Sequence, residues 1–433
     1  MIGEFEFNNY RFFKGRQTLS FGADQRTKKL LSNSTQVDGK RTLKCIGLYG
    51  QNNGGKTNIV ALFSVLRDIL KGQVKGAINN QSFHDERIVS LSVTFNNQDG
   101  KGWLKYSFSF DNSTLAFLAE ELSEVTYYSN GAPFEKVIFE KDFESKRLTV
   151  FGQDASMYLD ILPAQRPLLY SVETKSGYFA TLAPYLESLV ALADSIEIVP
   201  MYNIPLTKTL QVLKKNDPSQ AKFVRSFVQS ADLSITDFSY SPNSEAVLNL
   251  KGRKLSENAL AKFAELEDAF RLTTTYGKTK VPSLVFDSAG TKKIEAVASY
   301  VYEAIAEGKT LIIDEIDNGL HFNLTRAIVS AFNNLANKRG QLFFTAHDLL
   351  LINCKSLLRK DQIYFVQRTN KGANLYCLKE ATVASGGPRE GDDLLKHYNR
   401  GDFGPVPTPS FIKDIISIQS QDPQRGGNQN GVL

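Results

Sequence analysis

Cysteine is scarce in this 433-residue sequence: Cys45, Cys354 and Cys377 lie far apart, with no CxxC pair. That spacing argues against a disulfide framework or a zinc site and favours a reducing compartment. No run approaches the roughly 18 apolar residues that a membrane-spanning helix needs. The opening MIGEFEFNNYRFF lacks a cationic stretch followed by a long apolar one, so no signal peptide is expected. Charge of one sign is also in short supply. The 51 Lys and Arg against 46 Asp and Glu leave +5, which permits a contact with DNA without arguing for one. Internal repeats and long heptad runs are missing too. A cytoplasmic protein with no membrane partner is the expectation.

What is present is an ordinary globular composition, 42% hydrophobic, 11% aromatic and 22% charged. The length exceeds the roughly 250–300 residues at which single cores stop growing, so more than one domain is expected. Residues 1–21 alternate polar and apolar as a half-buried hairpin does. RTLKCIGLYG (41–50) reads as a short apolar strand, and TNIVALFSVLRDILKG after it places Ile59, Leu62, Phe63, Leu66 and Ile69–Leu70 on one helical face. Residues 88–150 alternate as an antiparallel sheet, with turns at NNQDGKG and SNGAP. From about 177 to 275 the pattern is helical (GYFATLAPYLESLVALADSI, AKFVRSFVQSA, SENALAKFAELEDAF). Strands return at PSLVF, TLIIDEI, GQLFFTAH and DQIYFVQR, with another at ANLYCLK. SIQSQDPQRGGNQNGVL is polar and glycine-rich and reads as disordered.

Gly50-Gln51-Asn52-Asn53-Gly54-Gly55-Lys56-Thr57 fits GxxxxGK[ST] without a gap, between a strand and a helix. Glycines let successive N–H groups turn inward on a phosphate, and the following helix adds its positive end. That end contributes only about 0.3–1 kcal/mol, or ~2 when partly buried. The larger share falls to Lys56 on the β- and γ-phosphates, at about 1.5–3 kcal/mol per charge-assisted bond. Gly50, Asn52, Asn53, Gly54, Gly55, Lys56, Thr57 and Asn58 are therefore the candidate nucleotide contacts, with the Thr57 hydroxyl on Mg²⁺.

In TLIIDEIDNGLH an apolar strand ends in two acids. Side chains alternate along a strand, but at its C-terminal end both can reach the crevice where open α/β sheets bind nucleotides. Asp314 is the candidate metal ligand, and Glu315 the residue that orients and deprotonates water. DSAGT (287–291) opens a helix striped by Ile294, Val297, Val301 and Ile305 and stopped at Gly308. Ser288 suits its N-cap, and Gly290 admits a ligand. LFFTAHDLLLI brings His347 to the end of another apolar strand, as a sensor of the γ-phosphate. His84 and His397 read as surface residues.

The order of phosphate loop, serine-glycine helix, acidic strand and histidine is similar to the ABC type of ATPase. More widely, the chain resembles ABC-like AAA-type ATPases related to SMC, RecF and OLD proteins, most of all the stand-alone group that includes RloA, found with restriction and phage-defence genes. NNYRFFKGRQTLSF, SADLSITDF, DSAGT, DEIDNGLH and YNRGDFGPVP carry the likeness. DSAGTKK lacks the LSGGQ of transporters, and LHF replaces the usual Leu-His-Pro at His321. The resemblance implies an α/β P-loop core, a mixed central sheet plus an antiparallel β subdomain, with an inserted helical domain. It implies divisions at 1–176 (N-terminal core), 177–280 (helical arm), 281–415 (C-terminal core) and 416–433 (tail). It further implies a homo-oligomer closing head to tail around ATP and Mg²⁺, with Ser288 and Gly290 of one subunit over the γ-phosphate of the next and Asp317 at the seam. The activity implied is ATP hydrolysis controlling a separate effector, a Toprim-type or other nuclease, in antiviral defence. A nuclease within this chain is disfavoured, because Glu390, Asp392 and Asp393 come with too little chain for another α/β domain. Two other functions stand beside this one: a RecF- or SMC-like DNA-repair ATPase, and a nucleotide-gated scaffold with negligible turnover.

Overall fold

The computed structural model describes residues 1–73, 85–97, 102–114, 116–128, 131–162, 166–172, 177–215, 217–242, 268–354, 356–381, 388 and 392–403. The chain opens with the expected hairpin, β1 (Ile2–Asn8) and β2 (Arg16–Ser20). A small pair, β3 (Ser34–Val37) and β4 (Lys40–Leu43), leads into β5 (Cys45–Gly50) and helix α1 (Lys56–Leu70). The single strand expected over 41–50 is thus two, parted at the buried Lys44, whose ammonium is tied to the Asn334 carbonyl at 2.8 Å. Next come β6 (Ile88–Asn96), β7 (Trp103–Asp111), β8 (Phe117–Tyr127), β9 (Pro133–Asp142), β10 (Arg147–Val150) and β11 (Gln153–Asp154). With β1 and β2 they form an eight-stranded sheet in the order β11-β10-β9-β8-β7-β6-β1-β2, every pair antiparallel.

The segment expected to be helical holds α2 (Ala183–Ser195), α3 (Thr207–Lys215) and α4 (Pro218–Ala231). It also holds strands: β12 (Ile196–Pro200), β13 (Ile235–Tyr240) and β14 (Leu272–Tyr276). β12 pairs in parallel with a core strand, so the arm begins inside the central sheet. The helix expected over SENALAKFAELEDAF falls mostly outside the described residues, as do Glu390 and the 416–433 tail. The strand expected at PSLVF is instead the end of β15 (Thr279–Pro282) followed by one helical turn, α5 (Ser283–Phe286). Ser283 turns inward there because its hydroxyl donates to the buried Glu295 carboxyl.

After α5 come α6 (Ala289–Glu307), β16 (Thr310–Asp314), α7 (Phe322–Phe332), β17 (Gln341–Thr345), the turn α8 (Leu350–Asn353), β18 (Ile363–Thr369), β19 (Gly372–Cys377) and α9 (Leu394–Asn399). The central sheet runs β12-β16-β17-β5-β18-β19, parallel except at β19. β16, β17 and β5 at its centre bury every residue bar the last of β5, the signature of a parallel sheet covered on both faces. Alternate residues serve two cores. Ile312 and Phe343 face α1 and the eight-stranded sheet, whereas Ile313 and Phe344 face α3, α4, α6 and α7. Phe63 of α1 bridges two sheets, its ring 5.0 Å from Phe5 of β1 and 5.2 Å from Phe343 of β17. The architecture is α/β, a mixed central sheet with an antiparallel β subdomain.

A buried acid pair joins the β14–β15 hairpin to α6. Thr274 donates to Asp287 and lies 3.3 Å from Glu295 Oε1, and Tyr276 donates to Asp287 at 2.6 Å. Burial first, and the neighbouring Asp287 after it, push the Glu295 carboxyl up to about 9. Burial acts on Asp287 in the same direction, but hydrogen bonds from Glu295, Thr274 and Tyr276 outweigh it and leave that carboxyl lowered. Glu295 is therefore the protonated partner and donates to Asp287. Folded chains hold this proton where unfolded chains have lost it, so stability falls as pH rises from the ordinary 4.5 towards about 9. Glu295→Gln keeps a donor and removes the ionisation, so its melting temperature relative to the native chain should climb across that window. Thermal denaturation at a series of pH values measures it, and a pH-independent difference contradicts the assignment.

Candidate functional site

Parallel pairing of β16, β17 and β5 brings their C-terminal ends side by side. The chain leaves β5 at Gly50, φ 149°, where an added Cβ would stand 2.5 Å from the Val366 carbonyl oxygen of β18. Only glycine passes so close to a neighbouring backbone. Gly55, φ 118°, caps α1 over the Phe13 ring, and Asn53 sits in the left-handed region that asparagine tolerates. Lys56 is 6% exposed, and its ammonium donates to the carbonyls of Gly50 at 2.8 Å and Gln51 at 3.2 Å. Burial lowers its pKa, and Asp314, Asp317 and Glu315 oppose that shift.

A cavity of about 260 Å³ is lined by Phe12, Asn52, Asn53, Gly54, Gly55, Lys56, Thr57, Asn58, Glu315 and His347. The structure thus brings together the loop, the second acid and the histidine, with Lys56 and His347 291 residues apart in sequence. His347 is 3.4 Å from the Lys56 ammonium through Nδ1 and 3.5 Å from Glu315 Oε1 through Nε2. Strand alternation would send Asp314 and Glu315 to opposite faces. Glu315 escapes it by turning left-handed, φ 56°. Thr345 secures that turn: its Oγ1 accepts the Glu315 N–H at 2.7 Å and donates to Asp314 Oδ1 at 2.6 Å. The Asn318 amide donates to Glu315 Oε2 at 2.8 Å. This bond is the largest influence holding the Glu315 carboxyl below its ordinary range, with His347 and Lys56 adding to it.

Other candidates stand apart from this cavity. Ser288 caps α6, accepting the Thr291 N–H at 3.1 Å, and Gly290 packs on the Gly319 carbonyl oxygen, 3.0 Å from where a Cβ would be. Neither lines the cavity of its own chain. Asp317, placed at a subunit seam by the resemblance, uses Oδ2 within this chain to accept the N–H groups of His347 at 2.8 Å and Asp348 at 2.5 Å. His321 caps α7 through Nδ1, which accepts the Asn323 N–H at 3.2 Å. His397 is not the unpartnered surface residue expected: its ring lies between Asp402 at 2.7 Å and Asp392 at 3.2 Å, partners five residues away on each side. His84 lies outside the described residues.

Sequence reading passed over Phe12, Arg11, Arg368, Thr345 and Asn318. Arg11 donates to Asn58 Oδ1 at 3.0 Å, leaving Asn58 Nδ2 buried and without a hydrogen-bond partner among the described residues. Arg368 lies 3.8 Å over the Phe12 ring and donates to the Asn53 carbonyl at 3.3 Å. The only available signal was the aromatic-cationic run RFFK beside the hairpin turn. The donor chemistry fits a magnesium triphosphate: an exposed Thr57 hydroxyl and a carboxylate for a hard cation, a buried ammonium and an orphan amide for phosphate oxygens.

A family model described as "AAA domain, putative AbiEii toxin, Type IV TA system" matches residues 202–353. A curated relative, an "ATP/GTP phosphatase" of Helicobacter pylori (strain ATCC 700392 / 26695), is 22% identical over 363 residues, covering 80% of this chain and 89% of the relative. Among solved structures, an SMC head bound to the C-winged helix domain of ScpA aligns at 13% identity over 88% of this chain and 99% of its own, TM-score 0.46. The SMC head domain from Thermotoga maritima aligns at 8% identity over 87% and 98%, TM-score 0.40. The recombination mediator RecF aligns at 12% over 87% and 98%, TM-score 0.35. The family model supports an AAA-type ATPase domain and the curated relative is named a phosphatase of ATP or GTP; neither reaches as far as the RloA group.

Proposed function

We propose that the protein binds ATP with Mg²⁺ and hydrolyses it. The observation that carries this reading is the meeting of the glycine loop, Lys56, Glu315 and His347 around one cavity. The loop amides and Lys56 would hold the β- and γ-phosphates, and Thr57 and Asp314 would hold Mg²⁺, which neutralises phosphate charge when bound. Glu315, kept ionised by Asn318, His347 and Lys56, would take a proton from the attacking water. The water oxygen bonds to the γ-phosphorus as the bond to the β-phosphate oxygen breaks, giving ADP and phosphate. The name of the Helicobacter pylori relative, a phosphatase of ATP or GTP, favours turnover over a scaffold role.

The wider reading is a head-to-tail homo-oligomer. Ser288 and Gly290 sit at a capped helix start away from their own cavity, and that geometry suits a contact in trans. Opening and closing would govern a separate nuclease effector in phage defence, in keeping with the toxin–antitoxin wording of the family description.

Lys56→Ala should abolish binding of a fluorescent ATP analogue. Glu315→Gln should bind it as the native chain does and lose roughly 10²–10⁴-fold in kcat. Equal turnover by native and Glu315→Gln chains refutes the base. Mixing Lys56→Ala with Ser288→Arg should restore hydrolysis that each lacks alone, since one site of a mixed pair is intact. Absence of restoration, with the protein monomeric at saturating ATP, refutes the trans lid. In cells, phage protection should require both the native Lys56 and a copurifying nuclease.

A further inference from the structure

Between the capped tip of α6 and the cavity lies a short chain of polar contacts, of which the hydrolytic reading uses only the last link, Asn318 to Glu315. Lys293, one turn into α6, donates to Asn318 Oδ1 at 2.6 Å and to the Asn318 carbonyl at 3.0 Å. Asn318 in turn donates its side-chain amide to Glu315 Oε2 and its backbone N–H to the Glu315 carbonyl, both at 2.8 Å. An ammonium has protons to give and no lone pair to receive with, so Lys293 decides which way the amide faces. The oxygen must point to Lys293, and the NH₂ is left aimed at Glu315. Backbone contact reinforces the link. A Cβ on Gly319 would lie 3.0 Å from the Lys293 ammonium, and one on Gly290 would lie 3.0 Å from the Gly319 carbonyl oxygen. The α6 tip and the loop holding Asn318 therefore cannot shift independently.

We propose that Lys293 and Asn318 are positioning residues that hold the Glu315 carboxylate in its reactive orientation and tie that orientation to the placement of the α6 tip. The proposal rests on the reading of Glu315 as the base. The side chains facing Glu315 with a titratable group are His347, just beyond β17, and Lys56 from the phosphate loop. Asn318 adds the neutral donor, and Lys293 acts only through it.

Asn318→Asp separates orientation from folding. It keeps an oxygen for Lys293, so the loop retains its anchor, but it turns a carboxylate on Glu315. The full-length variant should keep the native melting temperature and the native affinity for a fluorescent ATP analogue. Its kcat should fall about tenfold or more with KM unchanged. Lys293→Met should show the same split between kcat and KM, and Lys293→Arg should recover most of the loss. Native kcat in both Asn318→Asp and Lys293→Met, alongside an inactive Glu315→Gln, overturns this proposal and leaves the base standing. No hydrolysis by the native chain, or full activity in Glu315→Gln, overturns both.

Discussion

The site depends on three parallel strands ending together, and on what one hydroxyl does at that edge. β5, β17 and β16 lie side by side in register, so the glycine loop, Thr345 and the acidic pair leave the sheet at one level. Thr345 then joins neighbours that would otherwise diverge, donating to Asp314 and accepting from the Glu315 backbone. Valine is its near isostere and a good strand former, yet it would break both bonds. The Asp314 carboxylate is 5% exposed, and a buried charge that loses a donor costs more than the mean worth of one hydrogen bond.

Electrostatics at this edge is held in tension. Burial works against the Lys56 charge while three acids work for it, and Glu315 is kept ionised by donors on both sides. A cation folded onto carbonyls of its own loop, with a histidine 3.4 Å away, is pre-placed for an anion without being neutralised by a direct carboxylate bond. Asp317 contributes differently. Its accepted N–H groups fix the turn after β17, and so the position from which His347 enters the cavity. The role at a subunit seam that the resemblance implies would need reach from this side chain, whereas its role within the chain needs immobility.

How much of this was legible follows from where the information resides. The loop could be read because its chemistry is contiguous, glycines at the positions that need them and lysine and threonine at fixed offsets. The N-cap of α6 could be read for the same reason. Thr345 could not, because its partner is 31 residues away, nor Arg368, 315 residues from the Asn53 it touches. β12 was hidden by length: five residues, IEIVP, directly after a helix, with an apolar alternation too short to separate from helical periodicity. PSLVF misled in the other direction. Its apolar run suits a strand, but Ser283 gains more from a buried carboxyl than from an edge pairing, and the chain coils after Pro282.

The left-handed turn at Glu315 ties these strands of argument together. A non-glycine residue at φ 56° costs on the order of 1–3 kcal/mol and persists only where its surroundings over-determine it. Here they do so from three directions: Thr345 takes its N–H, the Asn318 backbone takes its carbonyl, and the Asn318 amide takes its carboxylate. Released from these bonds, Glu315 would return to extended geometry, and its side chain would leave the face that the phosphate loop occupies. Two of the three restraints come from one residue, and that residue is oriented by Lys293 of α6. On the proposed roles of Lys293 and Asn318, strain at the acidic edge is governed from α6, a helix that does not line the cavity, which puts control of the carboxylate outside the pocket it serves.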